Sequence, residues 1–338
     1  MFTERDIVSL WDIETYKEAL VTICCMTYNH ADYIEDAICS FLRQETTFPF
    51  KIFIHDDCST DGTSEIVLRY AKQYPNIIDA VVESQNIYHR DIKWIDEISR
   101  QHQIGKYRAF CEGDDYWIDI YKLQKQIEYM ERHPNCTISI TNGSKLEANT
   151  KEILENFDKE ELLFAKSNHV ITLENFCELK YPPTASYVFR FSALQGIDED
   201  IHSECTAGDI KMRLYSMTKG YCFYFADKTC IYRINVAKSA TMRWKKYNKV
   251  MLKNAALTYV DLLNDIDRLS NYCYSESIWK MKTMYIQVII ANSNSLSVFR
   301  NEEYRKAFSQ LKLRNKIRTL TKLITPNAIY EAYVNLRR

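Results

Sequence analysis

The chain has 338 residues, of which 46% are hydrophobic and 26% charged, and its formal net charge at pH 7 is -1. That length can bury a full core in one large or two smaller domains, and the balance excludes a disordered or fibrous chain and a broadly basic, nucleic-acid-binding surface. The 11 cysteines are odd in number and form no CxxC pair, which argues against a disulfide framework or a zinc site and fits reduced thiols.

Val21 to Thr27 (VTICCMT) is β-branched and apolar, and Ile34, Ile38, Phe41 and Leu42 follow at helical spacing. Lys51 to His55 is a second strand closing on Asp56-Asp57, and a helix runs from Thr63 to Tyr74, where Pro75 stops it. Ile77 to Glu83 predicts a third strand and Asp91 to His102 a helix. Tyr107 to Cys111 is a short buried strand that runs into Glu112-Gly113-Asp114-Asp115-Tyr116-Trp117, and Asp119 to Arg132 carries Leu123, Ile127 and Met130 on one helical face. Strands alternating with helices imply an α/β fold with a mostly parallel sheet covered on both faces.

Past Pro134 the pattern predicts a strand at Cys136 to Thr141, a charged and exposed excursion from Lys145 to Lys166, and a strand over Ala185 to Phe191. Ala207-Gly208-Asp209 opens a helix that runs through Met217, and two short strands follow at Cys222 to Ala226 and Thr229 to Arg233. From Tyr247 onward the periodicity is helical, over Ala255 to Leu269 and Ser277 to Ile290. A boundary near Ser239 to Lys246 divides the chain into a domain over 1–240 and a helical region over 241–338.

Two carboxylate pairs, Asp56-Asp57 and Asp114-Asp115, fall at the carboxyl ends of strands in one sheet, the edge where open α/β sheets bind ligands. Adjacent carboxylates there suit a hard divalent cation, which could hold a diphosphate. The plainer alternative is a turn and a helix cap. His30 and His55 beside strand ends read as structural rather than as ligands.

The order of the motifs resembles the inverting GT-A glycosyltransferases of family 2. Thr27-Tyr28-Asn29 closes the first strand, Asp56-Asp57-Cys58-Ser59-Thr60-Asp61-Gly62-Thr63 follows the second, the EGDDYW stretch follows Cys111, and Gly208-Asp209 opens a later helix. The likeness spans about Val21 to Arg233. It implies a Rossmann-like GT-A domain, a nucleotide-sugar donor of the UDP-linked kind, Mg²⁺ or Mn²⁺, and a glycan or lipid-linked acceptor in cell-surface polysaccharide synthesis. Thr27, Tyr28, Asn29 and Asp56 would line the donor site. Tyr28 would pack on the base, core packing being its alternative, and Asp57 would accept a hydrogen bond from a uracil imide N–H. Asp114 would reach the sugar or ribose, and Asp115 would bind the metal. Asp209 would be the catalytic base, with a helix N-cap as the alternative. The family often shows Glu-Asp where this chain has Gly-Asp, so Glu204 is a second candidate base. Arg233, with Ser239 or Thr241, would meet the phosphates.

Two other functions share parts of this pattern. A sugar-nucleotide nucleotidyltransferase would want a Gly-rich loop after the first strand, where Thr27 to Asp32 has none. A non-catalytic glycan-binding or scaffold protein would have lost the acids, which are present here. Met1 to Trp11 lacks the apolar run of a signal peptide, and no stretch reaches the roughly 20 apolar residues of a membrane span, so the expected location is the cytoplasm. The basic and apolar residues from Leu311 to Ile324 form either a helix lying on an anionic membrane or a core-packed one.

Overall fold

The computed structural model describes residues 3–87, 100–154, 167–177, 183–236, 239, 242 and 246–324. In chain order these form α1 (Glu4–Val8), β1 (Val21–Thr27), α2 (Ile34–Leu42), β2 (Phe50–Asp56), α3 (Thr63–Gln73), β3 (Ile78–Val82), β4 (Tyr107–Phe110), β5 (Tyr116–Trp117) and α4 (Lys122–Arg132). They continue with β6 (Cys136–Glu147), β7 (Ile153–Leu154), β8 (His169–Ile171), α5 (Leu173–Phe176), β9 (Val188–Arg190), α6 (Ile197–Asp200), α7 (Gly208–Met217) and β10 (Tyr221–Ile234). Four helices follow: α8 (Lys249–Leu269), α9 (Ser275–Ala291), α10 (Glu302–Ser309) and α11 (Leu313–Ile324).

The strands form one 10-stranded sheet in the order β3-β2-β1-β4-β9-β6-β10-β5, with β7 on β6 and β8 on β10. Its long ladders are parallel: β1 with β2 from Val21 opposite Phe50 to Thr27 opposite Asp56, β1 with β4, β2 with β3, and β6 with β10. This is the GT-A α/β arrangement. β1 is buried almost throughout because both faces are covered. Val21, Ile23 and Cys25 pack with Ile34, Ile38 and Phe41 of α2 and Val67 and Tyr70 of α3. On the other face Cys24 and Phe53 pack with Phe110, and the His102 ring stacks on Phe53 at 4.5 Å.

Several sequence expectations change. Cys222 to Ala226 and Thr229 to Arg233 are not two strands but one, β10, interrupted by register shifts between Phe225 and Lys228 and between Lys228 and Cys230. The exposed excursion starts later than Lys145: β6 runs to Glu147 and β7 pairs back onto Lys145 and Leu146, while 155–166 lie outside the described residues. The expected strand Ala185 to Phe191 shrinks to Val188–Arg190 between two 3₁₀ turns. Most of the helix expected over Asp91 to His102, and Thr241, lie outside the described residues. Among the described residues no helix is long and apolar enough to cross a membrane.

The chain forms two compact units. The first contains Met1–Leu173, Leu179–Gly196 and Met212–Ser239, and the second Glu174–Glu178, Ile197–Lys211 and Ala240–Arg338. The second is built on α8 and α9, whose Ala256, Val260, Ile286, Ile289 and Ile290 pack with Ala307 of α10 and Leu323 of α11.

Candidate active site

β1, β2 and β4 deliver their carboxyl ends side by side, and the main chains stay joined beyond the ladders. The Asp57 N–H donates to Thr27 O at 3.1 Å, and the Gly113 N–H donates to Met26 O at 2.9 Å. Residue 113 has to be glycine, because a Cβ there would lie 2.6 Å from Thr27 Oγ1 and 2.9 Å from Ile34 Cδ1. This close approach lays the Glu112–Asp115 turn against the end of β1. Thr27, Asp57 and Asp115 are 4%, 5% and 1% exposed.

The loop after β1 is clasped to the loop after β2. Asn29, at φ 56, occupies the left-handed region that Asn tolerates; its N–H donates to Ser59 Oγ at 2.8 Å and its Oδ1 accepts the Thr60 N–H at 2.8 Å. The His30 N–H donates to Thr63 Oγ1 at 2.8 Å, and the Ala31 N–H to Asp61 Oδ2 at 3.0 Å. Beneath them Asp56 is fully buried and accepts the Ser59 and Ser64 hydroxyls, so it shapes the loop from below. Tyr28 is half-buried at the head of the clasp. Asp57 Oδ1 accepts the Ile87 N–H at 2.7 Å, which fixes the carboxylate's orientation.

The acidic turn is held from the far side of the sheet. Asp115 Oδ1 accepts the Arg233 N–H of β10 at 2.8 Å, where β5 pairs with β10. Arg233 is 6% exposed; Nη1 donates to Asp114 O at 2.8 Å, Nη2 pairs with Asp36, and the guanidinium lies over the rings of Tyr33 at 5.1 Å and Tyr116 at 4.6 Å. The guanidinium expected to meet a phosphate is thus engaged within the protein. Asp36 and Tyr33 were not anticipated, and Tyr116 was singled out only as part of the EGDDYW stretch.

Burial pushes the Asp115 carboxyl well above the usual range, and the charges of Asp114 and Glu112 add to it. His30 joins this group: its Nδ1 is 3.2 Å from Thr27 Oγ1 and its Nε2 is 3.8 Å from Asp114. Burial pulls the His30 pKa down despite Asp114, so at neutral pH the ring is uncharged and this contact is no ion pair. His55, by contrast, is buried on Glu83 at 3.2 Å. Crowded carboxylates of this kind fit an oxygen-seeking divalent cation, which would relieve their mutual repulsion. Among the described residues no three His, Cys, Asp or Glu side chains form a group that could hold a metal ion. Asp115, the expected metal ligand, would thus supply only part of a cation's oxygen shell.

Asp209 belongs to the second unit. It sits inside the first turn of α7 rather than at the cap, where its charge suits the positive end of the helix. The segment leading to it is fastened to α8: the His202 and Ser203 N–H groups donate to Asp265 Oδ2 at 2.8 and 3.0 Å, Ser203 Oγ donates to Thr258 O at 2.6 Å, and Arg268 Nη2 donates to Asp200 O at 2.7 Å. Glu204 is exposed on the same segment.

A mostly parallel sheet with carboxylates gathered at its carboxyl edge is an α/β architecture of the GT-A kind. The family described as "Glycosyl transferase family 2" matches residues 22–195. That is more than half of the chain, and the chain belongs to this family. An uncharacterised protein of Mycobacterium tuberculosis is 40% identical over 119 residues, 35% of this chain and 33% of its own. TuaG of Bacillus subtilis, provisionally named a teichuronic acid biosynthesis glycosyltransferase, is 33% identical over 142 residues, 41% of this chain and 52% of its own. The chain thus spans about a third to a half of the length of these relatives. Among solved structures, S. aureus TarS 1-349 in complex with UDP-GlcNAc aligns with a TM-score of 0.58 at 16% identity, covering 90% of this chain and 80% of that one. The mannosyltransferase PcManGT from Pyrobaculum calidifontis, in complex with GDP-Man and Mn²⁺, aligns with a TM-score of 0.50 at 16% identity, covering 90% and 86%. At that identity both likenesses concern the fold alone.

Proposed function

We propose that the chain is an inverting, metal-dependent glycosyltransferase that moves a sugar from a UDP-linked donor to a hydroxyl of a glycan or lipid-linked acceptor, in the building of a cell-surface polysaccharide. The observation that carries this reading is the gathering of Thr27, Asp57, Asp114 and Asp115 at one sheet edge through the main-chain bonds of Asp57 and Gly113. The TuaG likeness supports the setting.

In this reading Tyr28 packs on the base and Asp57, oriented by the Ile87 N–H, accepts the uracil imide N–H. Thr27 and the Asn29 clasp form the rim, with Asp56 holding its shape. Asp114 takes a donor hydroxyl. Asp115 would hold Mg²⁺ or Mn²⁺, which when bound would neutralise charge on the departing diphosphate. Arg233 positions both acids through its N–H and its bond to Asp114 O. Asp209 removes the proton from the acceptor hydroxyl as it attacks the anomeric carbon on the face opposite the diphosphate. The helical region over 241–338 would form a separate domain that shapes the acceptor side, and the protein would work at the inner face of the plasma membrane.

Calorimetry with free nucleotides and Mn²⁺ tests the donor assignment. UDP should bind roughly ten- to a hundredfold more tightly than GDP or CDP, the worth of a buried hydrogen bond to a charged acceptor. Equal affinities would remove the uracil contact. A screen of nucleotide sugars for metal-dependent hydrolysis then names the sugar, and hydrolysis untouched by EDTA would remove the metal.

A further inference from the structure

α11 carries apolar residues that the second unit's core does not use. Leu323 is buried in that core, yet Leu313, Ile317 and Ile324 are 73%, 57% and 67% exposed. At 100° per residue these three fall within one narrow stripe, and the exposed Arg314 and Arg318 run along its edge. The helix holds no Asp or Glu. The first turn of α8 adds Val250, 64% exposed, next to Lys249. The two helices pack together, with Leu323 of α11 in one buried cluster with Ala256 and Val260 of α8, and burial lowers the pKa of Lys322, with the charges of Lys249 and Arg318 adding to the shift.

Large exposed apolar side chains on one face call for a partner, and the charge says which. A second copy meeting this surface across a two-fold axis would set like charges against each other. Nucleic acid would satisfy the arginines and leave the stripe in water. An anionic bilayer satisfies both, by taking the apolar stripe at the headgroup boundary and pairing the arginines with lipid phosphates. We propose that the exposed face of α11, with the first turn of α8, docks on an anionic lipid surface.

Flotation of the full chain with phosphatidylcholine vesicles, with and without phosphatidylglycerol, tests this. The chain should float with the anionic vesicles at low ionic strength, stay behind with the neutral ones, and be released by salt. The double substitution Arg314→Gln/Arg318→Gln should lower partitioning about twenty-fivefold, roughly fivefold for each cation removed. Ile317→Gln should lower it as well, and since all three side chains are exposed the melting temperatures should not move. No flotation of the unaltered chain, equal flotation with neutral vesicles, or unchanged flotation of both variants would overturn the proposal. A dimer that Ile317→Gln dissolves, without any flotation, would instead assign the stripe to a second copy and overturn it too. Nucleotide binding by calorimetry needs no membrane, so failure here leaves the transferase reading standing.

Discussion

In the first unit the loops that carry Tyr28 and Asp57 are tied together by separate bonds from Asn29, His30, Ala31 and Thr60. In the second unit the segment leading to Asp209 depends on one carboxylate, Asp265, which takes two of its N–H groups, helped by Ser203 and Arg268. Buried lysines follow a similar contrast. Lys122 of the first unit is fully buried with Gln126 Oε1 at 2.7 Å and the Trp117 ring at 4.4 Å, and burial pulls its pKa down to about 8. Lys282 of the second is paired with Glu303 at 2.6 Å. The clasp after β1 spreads its contacts over several donors and acceptors, while the segment before Asp209 concentrates its contacts on one carboxylate. Distributed contacts hold a rigid binding rim against the loss of any one, and a concentrated contact leaves a segment that one substitution can release.

The largest effect should come from Asp209→Asn. In the proposed role of base, its loss should cut transfer to acceptor by roughly 10² to 10⁴ while donor binding stays close to that of the unaltered chain, because a base acts on the acceptor hydroxyl and not on the nucleotide. The change removes a carboxylate charge from the first turn of α7, a loss worth about 0.3–1 kcal/mol of stability. Glu204→Gln is the control, and full transfer by a folded Asp209→Asn protein would remove the base role.

Lys122 makes the next test. Its folded pKa lies below the ordinary 10.5, so between about pH 8 and 10.5 the unfolded chain keeps a proton that the native chain has released, and stability rises with pH in that window. Relative to Lys122→Met, the unaltered chain should gain about 3 kcal/mol across it. Other groups titrate there too, so the difference between the two urea-melt series is the quantity to read. A flat difference would mean that the ammonium is not paying for its burial.

The contrast between clasps predicts unequal damage. Asp265→Ala should cost roughly 1–3 kcal/mol by leaving the N–H groups of His202 and Ser203 without their acceptor, and should speed hydrogen exchange over 197–211. Asn29→Ala should cost less, about 1 kcal/mol, with the clasp kept by His30 and Ala31. Equal losses, or a larger one from Asn29, would dissolve the comparison between distributed and concentrated contacts.

The site motifs were legible in the sequence because each sits at or just beyond a strand end, where local pattern and chemistry coincide: Thr27 closes β1, Asp57 follows β2, and Asp115 ends the turn between β4 and β5. The pairing of Arg233 with Asp36 was not, since 197 residues separate them and periodicity carries no such information. β10 looked like two strands because Asp227-Lys228 resembles a turn, whereas in the sheet that pair falls at a register shift. Ala185 looked like strand, but its carbonyl accepts the Trp117 indole N–H at 2.7 Å, and the chain there follows a 3₁₀ turn. Nothing in the sequence marks Lys122 as buried, and only packing reveals the ring and amide that house it.

The register shifts in β10 make the spacing of this stretch matter more than its composition. Before them β10 pairs with β8 through Cys222 to Tyr224; after them it pairs with β5 at Cys230 and Ile231, and two residues on the Arg233 N–H reaches Asp115. Side chains alternate across a strand, so deleting one residue at Ala226 or Asp227 would turn every position from Cys230 to Ile234 to the opposite face. Arg233 would then leave Tyr33 and Tyr116, and a different main-chain N–H would stand opposite Asp115. A substitution at Asp227 would lose its exposed ion pair with Lys125 at 3.2 Å, while a change in length there would move the acidic turn out of step with its support.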